Sequence, residues 1–323
     1  MAIRQALFVS AALAVQVFGL VGNVMAQGAL SSKPIRFIPM SVGLPENTAR
    51  VIANEISEVL KQSIVIEAKP GASGIVAAEY VAKAPPDGHT ILIGTNSTHA
   101  ANQSLFKKLP YDYIKDFAPI SGVSQGMLLV AVHPTLPARS IAELTALAKR
   151  EPGKLTFGWG SSVNRMAPEL YKLTAGVNIT DIPYKTNPLA ATDLLGGRIS
   201  LMMGDLGLLV PHAKSGAIRP LAVTGIQRSP QIPDVPTMQE AGVPDYGMTF
   251  WLAAYLPAGT PRDIVSRINS LFVAALDRPK VKEYLEKAGQ FPFPTTSDEL
   301  MRFQISEHDK WRKIIQAAGI QPE

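Results

Sequence analysis

Residues 157–165 read FGWGSSVNR and run into MAPELYKLTAG, a helical pattern. Two glycines and two serines at the mouth of a helix admit three roles: an anion cradle of backbone N–H groups, an exposed nucleophile, or a plain turn. A second nucleophile candidate is Ser124, in Gly122-Val123-Ser124-Gln125-Gly126, which matches the G-x-S-x-G elbow of serine hydrolases. That elbow needs a strand before it and a helix after it. The run that follows is MLLVAVHP, rich in β-formers and closed by proline, so a turn or chance explains the match better. No G-x-x-x-x-G-K-[ST] phosphate loop occurs, and GWGSSV carries Val163 where a dinucleotide fingerprint needs its third glycine. The five histidines, His89, His99, His133, His212 and His308, stand far apart, none at metal-ligand spacing. Asp193 and Asp245 read as solvated helix and loop positions. The motifs therefore ask for no catalysis, cofactor or metal.

What remains is a set of polar loops, each ahead of a helix: KPGASG at 69–74, GTNSTHAAN from 94, and WGSSVN from 159. Helix N-termini present unpaired N–H groups and partial positive charge, which favour carboxylates. Any single loop of this kind is explained by ordinary capping. Three of them on two expected lobes are better explained by a cleft that gathers them around an anion.

The elements that would hold these loops alternate. PIRFIPM, SIVIEAK and TILIGT read as strands, separated by the amphipathic ENTARVIANEISEVLKQ and by GIVAAEYVAKA. A second set begins at MLLVAVHP and continues through SIAELTALAKRE, opened by a Ser140/Glu143 capping box. LTFGWG, ITDIPY, ISLMMGD and IRPLAVTG follow as strands, with LAATDLLGG helical between them. Thr237/Glu240 gives another capping signature, MTFWLAAYLP another strand, and three helices close the chain. Strands alternating with helices predict an α/β fold with sheets covered on both faces. No linker, repeat or low-complexity tract separates the sets, so two lobes joined by passing strands are expected. Ligands of open α/β sheets bind where loops leave the carboxyl ends of strands. This selects loops 40–47, 69–74, 95–99, 158–164, 184–188 and 204–208.

The N-terminus reads MAIRQALFVSAALAVQVFGLVGNVMAQ: Arg4, an apolar run from Ala6 to Val24, and small residues around a cut after Ala26. That order describes a cleavable signal peptide over 1–26, with a retained anchor as the alternative. Export implies the periplasm and a soluble mature chain. Cysteine is absent, which removes disulfides and thiolate chemistry. The net charge is +5, or +4 without Arg4, and the basic residues are scattered. Nucleic acid is not an expected partner.

The chain resembles the periplasmic receptors of tripartite tricarboxylate transporters, the Bug-type solute-binding proteins, over nearly all of its mature length. The segments that carry the resemblance are SKPIRFI, KPGASGIVAAEYVAKAPPDGHTILIGT, LPYDYIKDFAPIS, VAVHPTLPARSIAELTALAKREPGKLTFG, IPYKTNPLAATDLLGGRISLM, PLAVTGIQRSPQIPDVPTMQEAGVPDY and LPAGTPRDIVSRIN. It implies a two-lobe periplasmic-binding-protein fold, each lobe a mixed, mostly parallel sheet flanked by helices, with the ligand cleft between them. The expected division is 27–125 for the first part of lobe 1, 126–250 for lobe 2, and 251–323 for the crossing strand and final helices of lobe 1. It also implies a monomer that captures a small carboxylate, closes, and delivers it to the large and small membrane subunits of a permease. Carried over position by position, one wall comprises Ser41, Val42, Gly43, Glu46, Ala72, Ser73, Gly74, Thr95, Asn96, Ser97 and Thr98. The other comprises Trp159, Gly160, Ser161, Ser162, Asn164, Arg165, Tyr184, Asn187 and Asp205.

Four departures fall on these loops. The first loop, SVGLPEN, is one residue short, with Glu46 nearest the place of the family's aspartate; Trp159 replaces a small residue, Arg165 a histidine, and Gly204-Asp205 an Asp-Asn pair. An indole at 159 stacked on a ring, with Arg165 on a carboxylate, would suit an aromatic carboxylate. The alternative is a packing tryptophan and a solvated arginine. A di- or tricarboxylate is the other ligand class. Two further functions stay open: a sensor that presents its liganded form to a membrane partner, and an exported hydrolase using Ser124 or Ser161.

Overall fold

The computed structural model describes residues 33–322; the expected signal segment lies outside them. Strands β1 (Ile35–Pro39), β2 (Ile64–Ile66) and β3 (Thr90–Thr95) pair in parallel around β1. Parallel pairing needs crossovers, and these are α1 (Leu44–Leu60) and α2 (Ile75–Ala82). α1 forms because Pro45 presets its first turn and Thr48, Ala49, Ile52, Ala53 and Ile56 fall on one buried face. Burial of Ile52 and Ile56 stabilises by about 1.5–3 kcal/mol each. After β3 the chain makes a π-helical turn at Ser97–Ala101 and a short α3 (Asn102–Leu105).

The strand that joins the two halves is longer than the sequence pattern indicated. β4 spans Phe117–Val132, starting ten residues before the expected Met127. Its first part pairs antiparallel with β9 (Thr249–Pro257), which also pairs with β3. Its last part pairs with β7 (Leu201–Asp205) and β8 (Arg219–Val223). Beyond β7 lie β5 (Thr156–Trp159) and β6 (Thr180–Pro183), in parallel, so the strand order is β2-β1-β3-β9-β4-β7-β5-β6. The short β10 (Gln290–Pro292) adds to β4.

The glycines that resembled a nucleophile elbow lie inside β4 and serve packing. A Cβ on Gly126 would sit 2.1 Å from the Phe250 ring, and one on Gly122 would sit 2.3 Å from the Phe293 carbonyl. Ser124 is fully buried and donates to Gln290 Oε1 at 2.5 Å. Its context is strand on both sides.

Helices α4 (Ile141–Arg150), α5 (Ser162–Ala175), α6 (Asn187–Leu195) and α7 (Leu206–Lys214) cover the second half of the sheet. Ser140 caps α4 through the Glu143 N–H at 3.1 Å, but Glu143 reaches back to the Arg139 N–H instead of closing the box. Thr237 and Glu240 make the reciprocal bonds, at 3.1 and 2.8 Å, around a single turn with no helix after it. α8 (Arg262–Leu276), α9 (Pro279–Lys287) and α10 (Ser297–Ala317) return to the first half. α10 opens with a full capping box, Thr296 with Glu299, and also packs against α5 of the second half.

One continuous core runs from Leu92, Trp251 and Tyr255 in the first half through Leu128 and Val130 of β4 to Phe157 and Met166 in the second. Two smaller cores fill the opposite faces, one under α1 and α8 and one under α6 and α7. Thr224 stands where the crossing segments meet. It is fully buried; its Oγ1 accepts from Leu128 N–H at 2.8 Å and donates to the Met248 carbonyl at 2.7 Å.

Candidate ligand cleft

A cavity of about 610 Å³ opens between the two halves. Its first wall is built from Met40, Ser41, Val42 and Gly43 after β1, the first turn of α1, and Thr95, Asn96 and Ser97 after β3. Its second wall is Gly160, Ser161 and Val163 at the start of α5, the 185–188 segment opening α6, Asp205 at the end of β7 and Leu208 of α7. Phe250, Trp251 and Leu252 of β9 form the floor. The loops are those at strand carboxyl ends, which is where a sheet of this kind leaves backbone groups unpaired.

The second wall is organised by one amide. Asn187 Oδ1 accepts the Gly160 N–H at 2.9 Å, while its Nδ2 donates to Asn164 Oδ1 at 2.8 Å and to Asp205 Oδ2 at 3.2 Å. The bonded groups fix which end of the amide is which, and both Nδ2 protons are engaged. Gly160 must be glycine for this: an added Cβ would lie 2.3 Å from the Thr186 carbonyl carbon. Asn164 is wholly buried and donates to the Met203 carbonyl at 2.7 Å. Ser161, the expected helix-end donor, has its hydroxyl on Asn164 Oδ1 and does not cap the helix with its side chain. Burial raises the carboxyl of Asp205 above its ordinary range, opposed by the Asn187 amide and the residue's own N–H.

On the first wall Asn96 as a whole residue is 4% exposed, and its side-chain amide makes no hydrogen bond among the described residues. Its amide atoms are not among the sealed, unpaired polar atoms of the described residues, so the cleft leaves them open to a ligand or water. Thr95 Oγ1 accepts the Ser97 N–H at 3.1 Å, and Thr98, fully buried, accepts the Thr95 N–H at 3.0 Å, so both brace the turn. Behind Thr98, its hydroxyl 2.9 Å from His99 Nδ1, the imidazole stacks on Tyr255 at 3.7 Å. Burial lowers the His99 pKa to about 3.

Ser41, Val42, Gly43, Thr95, Asn96, Ser97, Gly160, Ser161, Asn187 and Asp205 therefore line the cavity. The other expected residues do not. Glu46 faces Arg50 at 2.8 Å; Ala72 and Ser73 are exposed, and Gly74 is buried behind Met40 and Thr98. Thr98 and Asn164 stand behind the lining, and Ser162 is partly buried on α5. Tyr184 donates to Asp193 Oδ2 at 2.7 Å; burial and that carboxylate push its phenol up to about 12.

Trp159 and Arg165 form a separate cluster, so the aromatic clamp is not assembled. The Trp159 Nε1–H donates to Asp181 Oδ2 at 3.1 Å, the Arg165 guanidinium lies 4.7 Å from the indole centroid, and its Nη2 is 3.5 Å from the same carboxylate. The physical reason is strand alternation: Trp159 shares a sheet face with Phe157, under α5, and not with the cleft. Met40, Lys185, Thr186 and Leu208 line the cavity from loops that the sequence selected, whereas Phe250 lies outside every selected loop and read only as part of a strand.

Two sheet halves sharing a long strand and facing loops across a cavity define a bilobal solute-binding protein. Among the described residues neither Ser124 nor Ser161 has the imidazole partner a hydrolase needs; each donates to an amide side chain. Residues 48–320 match the family described as "Tripartite tricarboxylate transporter family receptor", and the chain belongs to that family. It is 30% identical to BugT of Bordetella pertussis over 311 residues, covering 94% of this chain and 95% of the relative. It is 32% identical over 293 residues to a protein of the tcbD–tcbE intergenic region of Pseudomonas sp., covering 89% and 87%. Among solved structures, an R. palustris protein with adipate superposes with a TM-score of 0.80 at 34% identity, covering 90% of this chain and 99% of that one. MatC from Rhodopseudomonas palustris with bound malate gives 0.75 at 28%, covering 87% and 99%. The family is one of periplasmic solute-binding receptors and not of enzymes.

Proposed function

We propose that this chain captures a small carboxylate in the cleft between its halves, closes on it, and hands it to the large and small membrane subunits of a tripartite tricarboxylate-type permease. It acts as a monomer in the periplasm, after removal of residues 1–26. The lobes that move are 27–125 with 251–323, and 126–250. The observation that carries this reading is that Asn96, whose side-chain amide makes no hydrogen bond among the described residues, lines a cavity whose opposite wall presents Lys185. Both are donors that complement a carboxylate, and they come from different halves, so one ligand touching both favours closure. The relatives with adipate and malate support the same class of ligand. No feature of the cleft favours the sensor reading over transport.

Calorimetric titration of the mature protein with a panel of aliphatic mono-, di- and amino carboxylates tests this. Saturable 1:1 binding of at least one, weakened about tenfold or more by Asn96→Ala, is expected, since a hydrogen bond to a charged group contributes about 1.5–3 kcal/mol. Absence of heat across the whole panel would refute it.

A further inference from the structure

The two charged side chains that line the cleft have opposite sign: Lys185 and Asp205. They are not an ion pair, and no lysine, arginine or histidine lies within 4.0 Å of the Asp205 carboxylate among the described residues. Asp205 accepts one side-chain hydrogen bond, from Asn187, an amide whose donors are otherwise committed to Asn164. That amide holds the carboxylate at the cavity wall without neutralising it. Burial already disfavours its charged form. Between the charged and polar groups the lining is apolar: Met40, Val42, Leu44, Val163, Leu208 and Phe250.

A plain dicarboxylate closed into this space would bring its own negative charge against Asp205 in a water-poor site. Like charges placed so are strongly disfavoured, whereas a cation beside a buried carboxylate forms a charge-assisted hydrogen bond. We infer that Asp205 is the specificity-determining residue of the cleft and that the ligand is an amino carboxylate. Its carboxylate is taken by Asn96 and Lys185, its ammonium by Asp205, and a short apolar chain separates the two. This rests on the carboxylate-receptor reading above and narrows its ligand class.

The test uses length-matched probes: 5-aminopentanoate against glutarate, and 6-aminohexanoate against adipate, titrated into the mature protein and into Asp205→Asn. The substitution keeps the size of the side chain and an oxygen for the Asn187 amide, and a thermal melt confirms that the variant is folded. The expected result is an amino carboxylate preferred by about tenfold or more in the parent, the scale of one charge-assisted hydrogen bond. In Asp205→Asn that preference should invert, with the dicarboxylate gaining affinity. Lys185→Gln should weaken both probes of a pair. A parent that prefers the dicarboxylate, or a preference unchanged in Asp205→Asn, overturns the inference and leaves the receptor reading standing. Failure of all four probes, and of the wider carboxylate panel, to bind either protein overturns both.

Discussion

Replacing Thr224 with valine removes one hydroxyl at the point where the halves join, and its cost can be worked from geometry. The side chain is fully buried, and valine fills nearly the same volume, so no cavity term enters. Two partners lose their bonds: the Leu128 N–H, 2.8 Å away, and the Met248 carbonyl, 2.7 Å away. Each buried polar group left unpaired costs about 1–3 kcal/mol, so the variant should lose roughly 2–6 kcal/mol. Equilibrium unfolding in urea reads this as a lower midpoint with an unchanged slope. Thr224→Ser, which keeps both bonds and loses a methyl, should lose only about 1 kcal/mol. A loss under about 1 kcal/mol in the valine variant, or an equal loss in the serine variant, would refute the hydroxyl as the link between β4 and the segment entering β9.

Three other substitutions probe the surroundings of the cleft. Gly160→Ala drives a Cβ to 2.3 Å from the Thr186 backbone, so Asn187 must move; about 1–3 kcal/mol of stability should go, together with carboxylate binding measured by calorimetry. Because His99 titrates near 3 when folded and near 6.5 when unfolded, its contribution is complete above pH 6.5 and lost as pH falls toward 3, up to about 4–5 kcal/mol. Urea midpoints between pH 7 and 4 should therefore fall less steeply in His99→Phe, and an identical slope would contradict that account. Trp251 lies on the cleft floor with its Nε1–H on Glu307 at 3.0 Å; Trp251→Phe should abolish most of any ligand-induced change in tryptophan emission and cost about 1–3 kcal/mol.

Much of the architecture is readable in the linear pattern because local periodicity and burial coincide. α1, α4 and the parallel strands β1 and β3 have their apolar residues at helical or strand spacing, and the structure has elements there. β4 was half hidden because Gly122 and Gly126 lower strand propensity, and only their contacts with Phe293 and Phe250 explain why glycine is needed. β10 is three residues long and has no pattern of its own; its pairing with β4 places it. α7 was obscured by Pro211 within it.

The sequence by itself determined most of the loops that face the cleft, since the ends of strands follow from the order of the elements; only the selected 69–74 loop stays outside it. Tertiary structure decided which side chains in those loops have spare bonding capacity. Nothing in FGWGSSVNR says that Trp159 turns to Asp181, twenty-two residues on, or that Ser161 spends its hydroxyl on Asn164. Nor does the chain order reveal that Asn187 joins Gly160, Asn164 and Asp205, or that Asn96 on the facing wall makes no side-chain hydrogen bond among the described residues. Hydrogen bonds are directional and short-ranged, so a polar residue's role depends on neighbours that only the folded chain supplies.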